Sequence, residues 1–140
     1  LLRQLSLYCL RLRHINGRGG DWLLKWDDNP ITLIIQAVNN LYPNIDADIS
    51  LVDDDDIDDS YGVTVFNDGE KPQIGIKYNL PLVGFIDILA HECAHVVAGI
   101  EAEHGEKWEE VYEAIRQEYC RLVEERVEEC GGEIRAVKPE

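Results

Sequence analysis

The chain has 140 residues, of which 45% are hydrophobic, and this size and composition are typical of one globular domain spanning residues 1–140. Its 28 acidic residues against 13 lysines and arginines give a formal net charge of −15. Such a charge would repel a phosphate backbone, which argues against direct nucleic-acid binding, and it favours basic substrates or partners. No apolar stretch is long enough to cross a membrane.

The cysteines and the first residues bear on the cellular compartment. The four cysteines stand at positions 9, 93, 120 and 130 and form no C-x-x-C pair, so we expect no second structural zinc site. Free thiols are typical of a reducing compartment, and the predicted location is cytoplasmic, with one disulfide between helices as the alternative. The N-terminal leucine-rich run lacks the small-residue cleavage site of a signal peptide. Because the sequence contains no methionine, we expect further residues before Leu1.

Helices are predicted before the sheet. Leucines stand at positions 2, 5, 7, 10 and 12 among arginines, and residues 2–14 are predicted to form an amphipathic helix packed on its own domain. Trp22 and Trp26 follow at helical spacing and are expected to pack in or beside the core. Asn29 fits the N-cap and Pro30 the first position of another helix, which should end near Leu41.

Three extended runs follow and predict a three-stranded sheet: Ala47–Val52, Gly62–Phe66 and Gln73–Tyr78. The turn sequence from Asn67 to Glu70 predicts that the second and third strands form a hairpin. The aspartates between residues 53 and 59 lack the ligand spacing and central glycine of an EF-hand. We interpret them as a solvated loop.

The segment from Pro81 to Gly99 is predicted to be one helix, with the proline in its first turn and the glycine in a left-handed conformation at its end. His91 and His95 are four residues apart and therefore share a face, and Glu92 lies about 100° from His91. The opposite face carries apolar residues that should meet a core: Leu82, Ile86, Leu89, Cys93, Val96, Val97 and Ile100.

This His-Glu-x-x-His run predicts a zinc site. Two imidazoles one helical turn apart can bind one zinc ion, with Glu92 as the general base. Zinc held by three protein ligands keeps a position for water and lowers the pKa of that water. His104, beside the adaptable Gly105, is the favoured third ligand. Acidic alternatives are Glu101, Glu103, Glu109, Glu110 and Glu113. Cys93, about 200° from His91, is expected to be a small buried residue.

The His-Glu-x-x-His run, followed by His-Gly-x-x-Trp from His104 to Trp108, resembles the signature of SprT-like zinc metallopeptidases and their small phage-type relatives. The resemblance covers about a third of the chain. It implies that His91, His95 and His104 bind zinc and that Glu92 is catalytic. It also implies that Trp108 packs the third-ligand loop against the following helix.

We therefore expect an α+β, zincin-like domain with N-terminal helices, an active-site helix and a long C-terminal helix from Trp108 to about Cys130. In zincins a strand near the metal offers its edge to an extended peptide, and Gln73–Tyr78 is the strand expected here. The predicted function is zinc-dependent hydrolysis of a peptide or protein substrate. Tyr61 and Tyr78 are candidate oxyanion donors. The alternative is a non-catalytic or latent metal-binding module.

Overall fold

A computed structural model describes residues 29–57 and 59–129. The elements in chain order are α1 (Pro30–Leu41), β1 (Asp48–Val52), β2 (Gly62–Val65), β3 (Gln73–Lys77), α2 (Leu82–Ala98), a 3-10 turn (Ile100–Ala102) and α3 (Glu106–Glu129). The α+β prediction is confirmed, because these residues form three α-helices and a small mixed sheet. The predicted helix over residues 2–14 and the two tryptophans after it lie outside the described residues.

The three strands lie in the order β1-β3-β2. β3 pairs in parallel with β1 and antiparallel with β2. The hairpin prediction is confirmed, and its turn is closed by a hydrogen bond from the Glu70 amide to the Asn67 carbonyl at 3.1 Å. The prediction that strand Gln73–Tyr78 offers an edge is wrong. β3 has a hydrogen-bonded neighbour on each side, and among the residues that the structure describes the outer strand that contacts α2 is β2.

Helix α1 begins as the sequence predicts. The Asn29 side chain accepts a hydrogen bond from the Thr32 amide at 2.9 Å, and Pro30 occupies the first helical turn, where a missing N–H costs nothing. The helix ends at Leu41, and the Tyr42 amide then donates to the Val38 carbonyl. The helix packs against α3 and, through the face that carries Ile34 and Val38, joins the core.

The core lies between the sheet and helices α2 and α3. Ile74, Ile76, Leu89 and Ile115 have almost no exposed surface, and each such side chain stabilises the fold by roughly 1.5–3 kcal/mol relative to an exposed one. Leu82 and Ile100 do not join them: they are 44% and 65% exposed, contrary to the predicted apolar stripe. They stand at the first residue of α2 and beyond its last, where the helix no longer directs a side chain to the core.

The structure also bears on the predictions for the C-terminal helix, the cysteines and the aspartate-rich loop. α3 begins at Glu106, two residues before the predicted start, and it buries Val111, Ile115 and Leu122. Cys93 is buried and Cys120 exposed, and neither forms a disulfide. The aspartates from residue 53 to 56 form a turn closed by a hydrogen bond from the Asp56 amide to the Asp53 carbonyl, and Asp54 pairs with the Lys77 ammonium at 3.3 Å. Within residues 29–57 and 59–129, no helix has both the length and the apolar character needed to cross a membrane.

Candidate metal centre

Three histidines meet at the C-terminal half of α2. His91 and His95 project from successive turns of the helix, as their spacing predicts. Gly99 then turns the chain with φ of 92° and ψ of 157°, and its amide donates to the His95 carbonyl at 2.9 Å. The positive φ matches the prediction, but this pair of angles is an extended conformation that essentially only glycine adopts, and not the left-handed helical one. The reversal at Gly99 brings His104 back toward α2.

The three imidazole nitrogens converge on one point. The Nε2 atoms of His91 and His95 are 3.2 Å apart, those of His95 and His104 are 3.0 Å apart, and those of His104 and His91 are 3.1 Å apart. A neutral Nε2 is either a donor or an acceptor, so in a triangle of three at least one pair is alike and cannot form a hydrogen bond. Ligands held tetrahedrally at ~2.0–2.1 Å from one ion stand at about this separation. The arrangement therefore fits a shared metal ion.

The side chains that could hold a metal ion here are all histidines. Of the residues that the structure describes, no carboxylate or thiol joins the group of His91, His95 and His104. The acidic alternatives for the third ligand therefore do not lie at the site, whereas His104 does. Cys93, although it lies inside the motif, faces the core, and burial raises the pKa of its thiol to about 12.

The indole ring of Trp108 contacts all three imidazole rings. Its ring centroid lies 4.6 Å from that of His91, 5.5 Å from that of His95 and 4.8 Å from that of His104. On its other side it stacks on Tyr112 at 5.0 Å, with the ring planes 10° apart. The Tyr112 hydroxyl donates to the Asp87 carboxylate, which ties α3 to α2 beside the histidines.

Glu92 is the one buried charged side chain of the described residues, with 6% of its surface exposed. The hydroxyl of Thr64 on β2 donates to its Oε2 atom at 2.5 Å. Burial raises the pKa of Glu92, while the Thr64 hydrogen bond and the nearby His95 and His104 act in the opposite direction. A raised pKa makes a carboxyl group a better proton acceptor, as a general base must be.

The protonation state of His91 and His95 also favours metal binding. Burial lowers the pKa of both His91 and His95. Repulsion from His104 lowers the pKa of His91 further, whereas attraction to Glu92 partly offsets the effect at His95. A neutral imidazole is the form that binds a metal ion, so the fold presents these two side chains in the competent state.

Sequence reasoning missed the residues that surround this centre. Thr64 and Gly62 come from a strand far away in sequence, and no local signal marks them. Asp87 could have been noticed, because it stands one helical turn before His91. The proposed oxyanion donors Tyr61 and Tyr78 are 58% and 59% exposed, and among the described residues neither ring is in contact with the three imidazoles. Tyr61 lies instead beneath the Lys77 ammonium.

The site can therefore hold one metal ion on three neutral imidazoles, next to a buried carboxyl group that has one partner on the neighbouring strand. The chain matches no protein-family model, no curated protein and no solved structure.

Proposed function

We propose that this chain is a zinc-dependent peptidase with a zincin-like domain of the SprT-like type. The observation that carries the proposal is the convergence of three Nε2 atoms within 3.2 Å of one another beside the buried carboxyl group of Glu92. His91, His95 and His104 would hold the metal. Zinc, when bound, lowers the pKa of a water ligand toward ~7 and polarises a carbonyl group.

The donor set supports catalysis over a structural role. Structural zinc sites are closed by four protein ligands, whereas catalytic sites have three and keep one position for water or substrate. Among the described residues, the group at this site has three members. A structural site would also have no need of a buried carboxyl group next to its ligands, because an isolated buried charge is costly.

Glu92 is the proposed general base. It would take a proton from the attacking water and later donate it to the nitrogen of the leaving amine. Its burial supports this role, because the raised pKa brings the carboxyl group closer to the pH at which it must both accept and release a proton.

The substrate is proposed to be an extended peptide bound along β2. Among residues 29–57 and 59–129, β3 is the strand that pairs with β2, on one of its sides, and Thr64 of β2 contacts Glu92. A peptide that adds to the outer edge of β2 would obtain main-chain hydrogen bonds and would run past the candidate base. The net charge of −15 favours a basic substrate.

The test is the variant Glu92→Gln, with Glu110→Gln as the matched control on an exposed face of α3. The substrate is fluorescently labelled lysozyme that has been reduced and carboxamidomethylated, which is basic and unfolded. We expect Glu92→Gln to retain one zinc per chain by elemental analysis while hydrolysis falls by at least ~10²-fold. Glu110→Gln should keep both.

Two other outcomes are informative. Zinc binding without hydrolysis in either wild type or Glu92→Gln would favour the non-catalytic or latent module. Equal hydrolysis by wild type and Glu92→Gln would exclude Glu92 as the base.

A further inference from the structure

Edge strand β2 holds the candidate base directly. The Oγ1 atom of Thr64 lies 2.5 Å from Oε2 of Glu92 and 3.3 Å from the Glu92 backbone oxygen. A hydroxyl group has one hydrogen, so the shorter contact is the bond that it donates. Its length is that of a charge-assisted O–H···O⁻ bond, which is about twice as strong as a neutral one.

Gly62 lies beside the other oxygen of the same carboxyl group. It stands two residues before Thr64 and therefore on the same face of the strand. A Cβ atom at this position would lie 2.6 Å from Cγ2 of Ile88 and 3.0 Å from Oε1 of Glu92. The absence of a side chain lets β2 approach α2 closely, and it leaves the space beside Oε1 free.

The two oxygens of Glu92 thus have different surroundings. Oε2 is occupied by the Thr64 hydroxyl, while no residue of the described part of the chain donates a hydrogen bond to Oε1. The terminal torsion of a glutamate is soft, and a carboxyl group without a partner would sample a broad range of orientations. A hydrogen bond at one oxygen removes that freedom and determines where the other oxygen points.

We propose that Thr64 is a positioning residue for the general base: its hydroxyl holds Oε2, so that Oε1 is the oxygen that exchanges protons, and Gly62 keeps Oε1 unobstructed. This inference rests on the proposed peptidase function. In the step concerned, an O–H bond of the attacking water breaks as the Oε1–H bond forms, and the water oxygen bonds to the carbonyl carbon of the peptide. The proton then passes from Oε1 to the peptide nitrogen as the C–N bond breaks, which releases the amine and restores the carboxylate.

The experiment compares Thr64→Val, which keeps the branched shape and loses the hydroxyl, with Thr64→Ser, which keeps the hydroxyl. Misplacement of a reacting group by about 1 Å can cost ~10²-fold in rate. We therefore expect kcat on labelled, reduced and carboxamidomethylated lysozyme to fall by ~10–10²-fold in Thr64→Val with KM unchanged. Thr64→Ser should restore most of it, and both variants should bind one zinc. Thr64→Ala replaces Thr64→Val if the latter does not fold.

Crystal structures of the same zinc-loaded variants give a readout that does not depend on activity. We expect the Glu92 carboxyl group to keep its orientation in Thr64→Ser and to rotate or adopt a second conformer in Thr64→Val. An unmoved carboxyl group in Thr64→Val overturns the inference, as does an effect on KM alone or a failure of Thr64→Ser to rescue. If wild type hydrolyses nothing, the peptidase proposal fails, and the orientation of Glu92 in the two variants still decides whether Thr64 positions it.

Discussion

The indole nitrogen of Trp108 donates a hydrogen bond to the backbone carbonyl of His91, 3.3 Å away. The bond joins the first turn of α3 to the middle of α2, across the segment that carries His104. Because the same indole ring contacts all three imidazoles, Trp108 closes one side of the candidate metal centre. The contact between α2 and α3 is therefore also the contact that positions the three histidines.

The first prediction concerns Trp108. Residues that support metal ligands typically contribute ~10–100-fold to metal affinity. Trp108→Ala removes both the ring contacts with the imidazoles and the hydrogen bond. We therefore expect zinc affinity to fall by ~10–100-fold. Trp108→Phe keeps an aromatic ring and loses one hydrogen bond worth about 0.5–1.5 kcal/mol, so its effect should be smaller. Competition with a chelating dye measures both, and an unchanged affinity in Trp108→Ala would contradict the supporting role.

The second prediction identifies the third ligand. His104→Ala removes one of three donors, so zinc affinity should fall by more than the ~10–100-fold expected for a supporting residue. Glu113→Ala is the control, because this glutamate is exposed on α3 and receives a hydrogen bond from Gln117 at 3.3 Å. Elemental analysis after dialysis reports the zinc content. Loss of zinc in Glu113→Ala and its retention in His104→Ala would assign the third ligand to a glutamate.

The third prediction concerns the turn that delivers His104. Gly99 has φ of 92° and no neighbour within 4 Å of a Cβ atom, so Gly99→Ala is opposed by backbone strain and not by a clash. We expect a loss of about 1–3 kcal/mol in the free energy of unfolding. Gly84→Ala, also in open space but inside α2, should instead gain about 0.5–1 kcal/mol. Urea denaturation with zinc chelated measures both, and equal stability of the two variants would refute the strain argument.

The fourth prediction is a pH dependence of zinc binding. A metal ion binds the neutral imidazole, so protons compete with zinc at low pH. The pKa values of His91 and His95 lie below the ordinary 6.5, and for these two ligands the competition therefore sets in below that pH. Zinc affinity should fall as the pH is lowered through the imidazole range. Isothermal titration at pH 7 and pH 5 would show equal affinities only if histidines are not the ligands.

The fifth prediction distinguishes two cysteines. The thiolate is the reactive form, and burial raises the pKa of Cys93 to about 12, whereas Cys120 lies on the exposed surface of α3. Iodoacetamide at pH 8 should modify Cys120 in the folded protein and leave Cys93 intact until urea unfolds it. Peptide mapping by mass spectrometry gives the extent at each site. Rapid native modification of Cys93 would mean that it does not face the core.

The sequence by itself determined the parts of the site that are local. A helix repeats every 3.6 residues, so the separation of His91 and His95 alone places them on one face, and Cys93 between them must point elsewhere. A turn after α2 was also readable, because Gly99 is the residue type that accepts a positive φ. The hairpin from β2 to β3 followed from its turn residues.

The tertiary structure decided what depends on contacts between distant segments. It brought His104, and not the neighbouring glutamates, beside His91 and His95, because the path of the chain after Gly99 determines which side chain returns to α2. It placed β3 in the centre of the sheet, since pairing order depends on how the strands pack under α2 and not on the alternation of any one strand. It also brought Thr64 to Glu92, 28 residues away, because the packing of β2 against α2 sets that register. The periodicity of one segment carries no information about such a register, which is why the partner of the candidate base could be read only from the fold.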